Sequence, residues 1–271
     1  MSRMRSLDHL PAVAPAPAPP AWRVWLCALL DLVFPAFCPV CGSALAAGRR
    51  DPLCGGCWER VQRLTPPWCG SCGLGITQFE TDDGTDVHPA RTPHRCGECR
   101  RRSPEFTYAR SAVLYDDVIR EALHAFKFRG KRALAAPLGD LLAEIGRASL
   151  PILDPDLLVP VPLHPRRERE RGFNQAALLA RRLGRAWRLP VRTDVIARTV
   201  ATTSQSRLTA LERRANVRGA FSLRRPEIIA GRHVIVIDDI MTTGSTVGAC
   251  AASLREGGAA TVGVLTVARV L

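Results

Sequence analysis

An α/β domain with a mostly parallel sheet, preceded by a small metal-stapled domain, is the fold class this 271-residue sequence predicts. Three observations carry it. Short apolar runs alternate with helical periods from Tyr108 onward, the pattern of strands buried on both faces and joined by crossover helices. One run, Val234-Ile235-Val236-Ile237, ends in Asp238-Asp239 and then Thr242-Thr243-Gly244-Ser245-Thr246. Upstream, residues 38–107 hold four Cys-x-x-Cys pairs among glycine, proline and charge, with little periodicity, as expected where metal ligation replaces a core.

Taken in order, residues 1–20 form a Pro/Ala-rich tail, expected to be disordered or partly polyproline. Over 21–37, Trp22, Trp25, Leu26, Leu29, Leu30 and Val33 recur at helical spacing and predict a short amphipathic helix packed on the body. That stretch is short and broken by Arg23, Asp31 and Pro35, so no membrane span is expected. Pro-Ala repetition, not an apolar segment, follows Arg3 and Arg5, which argues against export and for a cytoplasmic protein. Within the cysteine-rich region, 79–93 is polar and acidic and reads as a loop insertion. The second domain, 108–271, is expected to place strands over 110–115, 157–161, 233–237 and 261–267. Helices are expected over 118–126, 134–145, 174–187 and 245–256, with 199–218 polar, basic and partly loop.

Composition narrows the class. With 46% hydrophobic residues the chain has enough apolar side chain for a core, which excludes global disorder. Its net charge of +13 favours phosphate-rich partners without choosing between nucleotides and nucleic acid.

The cysteines point to zinc. A Cys-x-x-Cys turn aims two sulfurs at one point, and a second turn completes a tetrahedron. Taken sequentially, Cys38, Cys41, Cys54 and Cys57 make one site and Cys69, Cys72, Cys96 and Cys99 another; an interleaved pairing, a redox dithiol and an iron–sulfur cluster are the competing readings. Gly42, Gly55, Gly70, Gly73 and Gly97 adjoin the sulfurs, where positive φ would turn amides toward thiolate. All-cysteine ligation leaves no open coordination position, so both sites are read as structural. Cys27 and Cys250 are left over.

The run from Val234 to Thr246 is the sharpest chemical motif. Ligands of open α/β sheets bind at the carboxyl ends of strands, and a loop that opens a helix offers free amides, hydroxyls and the helix dipole to an anion. Carboxylates beside such a cradle suit a sugar phosphate. No Gly-x-x-x-x-Gly-Lys-Ser/Thr is present, so this is not a Walker loop. The bland alternative makes the aspartates a turn and Ser245 a plain helix cap.

This strand, acidic pair and loop resemble the PRPP-binding motif of type I phosphoribosyltransferases, whose fold is Rossmann-like. Wider features resemble the ComF family: the double four-cysteine ribbon, Phe126-Lys127-Phe128-Arg129-Gly130-Lys131, Val159-Pro160-Val161-Pro162-Leu163-His164, Arg171-Gly172-Phe173-Asn174-Gln175, Gln205-Ser206-Arg207-Leu208 and Glu212-Arg213-Arg214-Ala215-Asn216. The resemblance covers residues 24–271. It implies that Asp238 and Asp239 bind the ribose hydroxyls of PRPP and that Thr242, Thr243, Gly244, Ser245 and Thr246 hold its 5′-phosphate. It also implies pyrophosphate near Arg166, Arg167, Arg169 and Arg171, and Mg2+ arriving with PRPP. Purine-specific members often carry an acid at the position of Thr242, so purine salvage is not expected and the acceptor stays unnamed. The implied setting is natural competence, with import of single-stranded DNA and contact with DNA-import proteins at the inner membrane. Two readings stay open: a phosphoribosyltransferase with an unknown acceptor, or a catalytically silent PRPP- or DNA-binding accessory factor.

Two further features are candidates. The stretch 199–218 is placed to act as a lid that keeps water from the reacting centre. Lys127, Arg129, Lys131 and Arg132 form a basic cluster beside Phe126 and Phe128, a combination that could touch phosphate or single-stranded nucleic acid.

Overall fold

A computed structural model of the chain describes residues 36–45, 51–75, 95–149, 155–200 and 219–271. The expected tail, the helix over 21–37 up to residue 35, the 79–93 insertion, Cys27 and the lid segment from residue 201 lie outside the described residues. The described elements are, in order, α1 (Gly55–Glu59), α2 (Gly97–Arg101), β1 (Tyr108–Leu114), α3 (Asp117–Phe128), α4 (Ala135–Ser149), β2 (Leu157–Pro160), α5 (Pro165–Arg171), α6 (Gln175–Trp187), β3 (Ile196–Arg198), β4 (Phe221–Leu223), β5 (His233–Met241), α7 (Ser245–Glu256) and β6 (Thr261–Arg269). Among these residues no helix is long and apolar enough to cross a membrane.

The helix starts follow local chemistry. Asp116 accepts from the Ile119 amide (3.0 Å) to begin α3, and Asn174 from the Ala177 amide (3.3 Å) to begin α6. Pro165 opens α5, which ends at Gly172 in the left-handed region.

Four parallel strands form the main sheet in the order β1-β6-β5-β2. Strand alternation sorts its apolar side chains onto two faces. Val234, Val236, Val159 and Val264 look toward α7 and the β3–β4 pair, whereas Ile235, Ile237, Leu158 and Leu265 look toward α4 and α6. Both faces being covered explains why β5 reads as an unbroken apolar run instead of an alternation.

Neither edge of the sheet is bare. Gln62 to Leu64 run antiparallel beside β1, with Leu64 N donating to Ala112 O (3.0 Å) and Leu114 N to Gln62 O (2.9 Å). At the far edge Val191 bridges Leu158 in parallel. Such coverage removes the unpaired strand that would template association.

Three departures from the sequence expectations matter for the site. Strand β5 continues through Asp238 and Asp239 to Met241, because β6 pairs with it as far as Arg269. The aspartates are therefore strand residues, not the turn they would make under the bland alternative. The arginine-rich stretch after β2, for which the sequence announces no element, is a helix, α5. Finally, β3 and β4 pair antiparallel, and Thr199 N donates to Ala220 O (2.9 Å), so the chain leaves and returns at one point on either side of the expected lid.

Gly263 in β6 stands in register with Tyr108 of β1, and a β-carbon there would lie 2.4 Å from the ring. Gly263→Ala is expected to cost about 1–3 kcal/mol by overpacking a buried strand pair. Thermal denaturation monitored by circular dichroism checks this, and an unchanged melting temperature would contradict the packing argument.

Candidate functional site

The two cysteine groups assemble sequentially: Cys38, Cys41, Cys54 and Cys57 in one, Cys69, Cys72, Cys96 and Cys99 in the other, each with all sulfurs within 4.8 Å of one another. Sulfur pairs stand 3.8 Å (Cys38–Cys57), 3.5 Å (Cys41–Cys54) and 3.7 Å (Cys72–Cys96) apart. A disulfide would need about 2.0 Å, whereas a tetrahedron with metal–sulfur bonds of about 2.3 Å has edges of about 3.8 Å. The donor set thus fits zinc, and it leaves no position open for chemistry.

Each first knuckle is a tight turn closed by its own backbone: Gly42 N donates to Cys38 O and Gly73 N to Cys69 O, both at 2.9 Å. Only these two of the five glycines beside the sulfurs have positive φ. Gly55 and Gly97 instead begin the short helices α1 and α2. At Gly73 the requirement is double, since a β-carbon would also sit 2.5 Å from Ala109 O.

The second ribbon is built into the sheet. Ala109 N of β1 donates to Ser71 O (2.7 Å), Arg110 Nη1 to Gly70 O (3.2 Å) and Arg269 Nη1 to Cys72 O (3.0 Å). Both guanidiniums are buried, and four thiolates around a dication carry net negative charge that they offset. All four cysteines of this ribbon are buried, whereas Cys41 in the first is exposed. Phe106, just past the second ribbon, reaches the loop before α7, where its ring would be 3.6 Å from a β-carbon at Gly244.

The carboxyl ends of β2 and β5 open onto a cleft of about 310 Å³. Helix α7 begins there at Gly244, whose φ of 76° belongs to the left-handed region and which caps it without any side-chain hydrogen bond. Thr242, Gly244, Ser245 and Thr246 line the wall. Thr243 does not: its hydroxyl lies 2.7 Å from that of Ser245 and braces the loop. Ser245 is consequently not the helix cap. Ser245 N makes only a long bond to Thr243 Oγ1 (3.4 Å), and a helix start so weakly capped, with hydroxyls around it, is a seat for an anion.

Asp238 and Asp239 form the floor, 8% and 3% exposed. Lys127, from the last turn of α3, makes an ion pair with Asp239 Oδ2. The two carboxyls are pushed apart by their surroundings. Burial would raise Asp239, but the Lys127 charge and hydrogen bonds from Lys127 and Gln175 hold it below the ordinary carboxylate range. Asp238 is raised well above that range by burial first and by the Asp239 charge second.

Of the four arginines expected near pyrophosphate, the structure brings Arg167 and Arg171 to the cleft wall. Arg166 instead pairs with Glu170 (2.9 Å) on the outside of α5, and Arg169 is exposed away from the wall. Helical spacing explains the split, because four residues bring a side chain back to the same face. Arg171 Nη1 also donates to Gln175 Oε1 (2.5 Å).

Three polar lining residues were not placed at this cleft by the sequence: Arg198, Gln175 and Lys127, the last of which was expected in a separate basic cluster. Arg198 comes from β3 and stacks 5.4 Å from the Phe221 ring centroid. Burial lowers the pKa of both Arg198 and Arg171. The expected basic cluster is not assembled as one patch: Lys127 faces the cleft, Arg129 pairs with Glu121 (2.5 Å), and Arg132 stacks 4.8 Å from Phe173. The FKFRGK motif held the signal for Lys127, but nothing local marks Arg198.

Two outcomes follow. Because the second ribbon shares core with β1, β6 and α7, whereas Cys41 is exposed, Cys72→Ser should lower the melting temperature at least about 5 °C more than Cys41→Ser; equal losses would contradict that embedding. Asp238 has a raised folded pKa, so its contribution to stability is lost as pH rises from its unfolded value of about 3.9 through the folded one. Asp238→Asn removes that loss, and its melting temperature should exceed the parent's by about 2–5 °C at pH 8, with a smaller gap at pH 5. A pH-independent gap would contradict the charge argument.

With this geometry in place, two family matches divide the chain. Residues 29–100 match the double zinc ribbon domain, and residues 169–271 match the phosphoribosyl transferase domain. Over 243 residues the chain is 34% identical to the DNA utilization protein YhgH of Escherichia coli O157:H7, covering 89% of this chain and all of that one. It is 28% identical to competence protein F of Haemophilus influenzae (81% of this chain, 91% of that one) and 31% identical to competence protein ComFC of Bacillus subtilis (81% and 85%). Matching both domain families and aligned over most of its length with these relatives, the chain belongs to the ComF family of double-zinc-ribbon proteins with a phosphoribosyltransferase domain.

Proposed function

We propose that the cleft binds PRPP with Mg2+. The observation that carries this reading is the meeting, in one cleft, of a buried carboxylate pair and a weakly capped helix start. Asp238 and Asp239 would take the ribose hydroxyls, and Thr242, Gly244, Ser245 and Thr246 the 5′-phosphate, with Thr243 holding the loop. Arg167 and Arg171 would face the pyrophosphate, with Arg198 added from β3. Mg2+ would be held mainly by ligand oxygens and water, and when bound it neutralises charge on the departing pyrophosphate.

The residues then have separable tasks. The carboxylates orient the sugar, the loop anchors its far end, and the arginines stabilise charge that grows on the leaving group. Asp239, kept ionised by Lys127, is ready to accept a hydroxyl proton in a hydrogen bond. Lys127 has to yield part of that contact when a diol arrives.

The relatives' names, competence proteins and a DNA utilization protein, support a role in competence or DNA use; import of single-stranded DNA into the cytoplasm, beside inner-membrane import proteins, is the finer form of this proposal and rests on the family resemblance alone. The acceptor of any transfer is a separate question, and a silent PRPP-binding accessory factor uses the same cleft.

Calorimetric titration of PRPP and Mg2+ into zinc-loaded protein tests the reading. One saturable site is expected, weakened at least about tenfold in Asp238→Ala/Asp239→Ala, in line with loss of buried hydrogen bonds to hydroxyls. A folded, zinc-loaded parent that takes up no PRPP sinks the proposal and sends the search to DNA and protein partners.

A further inference from the structure

The two cysteine tetrahedra differ in what surrounds them. In the second, all four cysteines are buried and the Cys96 amide donates to Cys69 Sγ (3.3 Å). The buried guanidiniums of Arg110 and Arg269 also donate to that ribbon's first turn, at Gly70 O and Cys72 O. In the first ribbon, one edge of the tetrahedron faces the core and the opposite edge faces water. Cys38 and Cys57, 3.8 Å apart, join Leu53 in the apolar cluster that also holds the inner sides of α3 and α4. Cys41 is exposed, Cys54 is half-buried, and their sulfurs stand 3.5 Å apart.

That outward edge meets the conditions under which a metal-bound sulfur reacts. Ligation to zinc holds each sulfur as thiolate, the nucleophilic form, and reactivity then follows access. Cys41 has the access. The cation beside this ribbon serves the other edge, since Arg60 Nη2 donates to Cys57 Sγ (3.4 Å), whereas Cys41 Sγ meets the neutral hydroxyl of Ser43 at 3.2 Å. A second thiolate is also at hand. From 3.5 Å, closure to a disulfide bond of about 2.0 Å needs a shift of about 1.5 Å.

We infer that Cys41 and Cys54 are a peroxide-reactive pair whose oxidation releases the zinc of the first ribbon. The step balances with hydrogen peroxide as oxidant. Cys41 Sγ attacks one peroxide oxygen, the O–O bond breaks and hydroxide leaves, giving a sulfenic acid. Cys54 Sγ then attacks Cys41 Sγ, the S–S bond forms, and the second oxygen leaves as hydroxide. Two thiolates lose two electrons, one peroxide gains them, and two hydroxide ions result. The zinc remains a dication throughout, and Cys38 and Cys57 alone cannot close a tetrahedron around it.

The consequence is local. Cys38, Leu53 and Cys57 lose the metal that holds them against α3 and α4, while the second ribbon keeps its metal and its bonds to β1 and β6. Nothing in the step involves the cleft, so it stands or falls apart from PRPP.

The test uses the full chain loaded with two zinc ions, one for each cysteine group. Hydrogen peroxide is added in excess, zinc release is followed with a chromogenic chelator, and peptide mass spectrometry after alkylation maps the oxidised cysteines. One zinc per chain is expected to leave at least about tenfold faster than the other, in step with a Cys41–Cys54 disulfide, and to rebind after reduction by a dithiol. Cys41→His keeps four ligands, three cysteines and one histidine, while removing the exposed sulfur. It should still load two zinc ions and slow the fast release about fivefold or more. Should that variant fail to load, the oxidation map of the parent decides. Equal release from both ribbons overturns the inference, as does an unchanged fast rate in zinc-loaded Cys41→His. A fast phase that maps to the second ribbon, or that leaves Cys41 and Cys54 unjoined, also overturns it, and so does a parent that cannot be loaded with two zinc ions.

Discussion

Two neighbouring carboxylates buried at the end of an apolar strand are the constraint on which the rest of this protein turns. Left alone, a pair of this kind would hold protons or pull the strand apart, because burial and mutual repulsion both oppose ionisation. The fold resolves it unequally. Lys127, delivered by the last turn of α3, keeps Asp239 charged, while Asp238 is left as the weaker acid. That division costs stability, and sites for ligands are where such cost is tolerated. It also makes α3 part of the cleft although it belongs to the β1 side of the sheet.

The ribbons answer a second constraint. β1 is an edge strand, and the chain linking the two ribbons lies along it as an antiparallel neighbour, with Arg63 opposite Val113. The second ribbon then presses its Gly73 turn onto Ala109 and receives Arg110 and Arg269 from the adjoining strands. Metal ligation thus supplies rigidity where a small polar segment could not build a core. Phe106 carries that rigidity to Gly244, the residue whose left-handed backbone aims the start of α7 at the cleft.

How far the sequence alone reaches depends on how local each signal is. The ribbons were legible because four sulfurs at fixed spacing have few other uses. Helix 245–256 was legible to the residue, since a Gly-Ser step follows a buried strand and Gly257 ends the period. The end of β5 was not, because the aspartates read as a break in an apolar run, and only the pairing partner β6 keeps them in the strand. Helix α5 lies outside the expected elements, although Pro at a helix start followed by alternating Arg and Glu is itself a helix signal. The site was half legible for the same reason. Asp238, Asp239 and the loop lie together in the chain, but Arg198 reaches them only through the β3–β4 pairing, a contact that no spacing announces.

Lys127 shows why a motif can be read correctly as important and still be misplaced. Phe126, Lys127 and Phe128 are consecutive, so on a helix they must face three directions about 100° apart. Phe126 takes the core, Lys127 the cleft and Phe128 the exposed side of the helix. A basic patch for a phosphate backbone would need Lys127 beside Arg129 and Lys131 on one surface, and the helical turn forbids that.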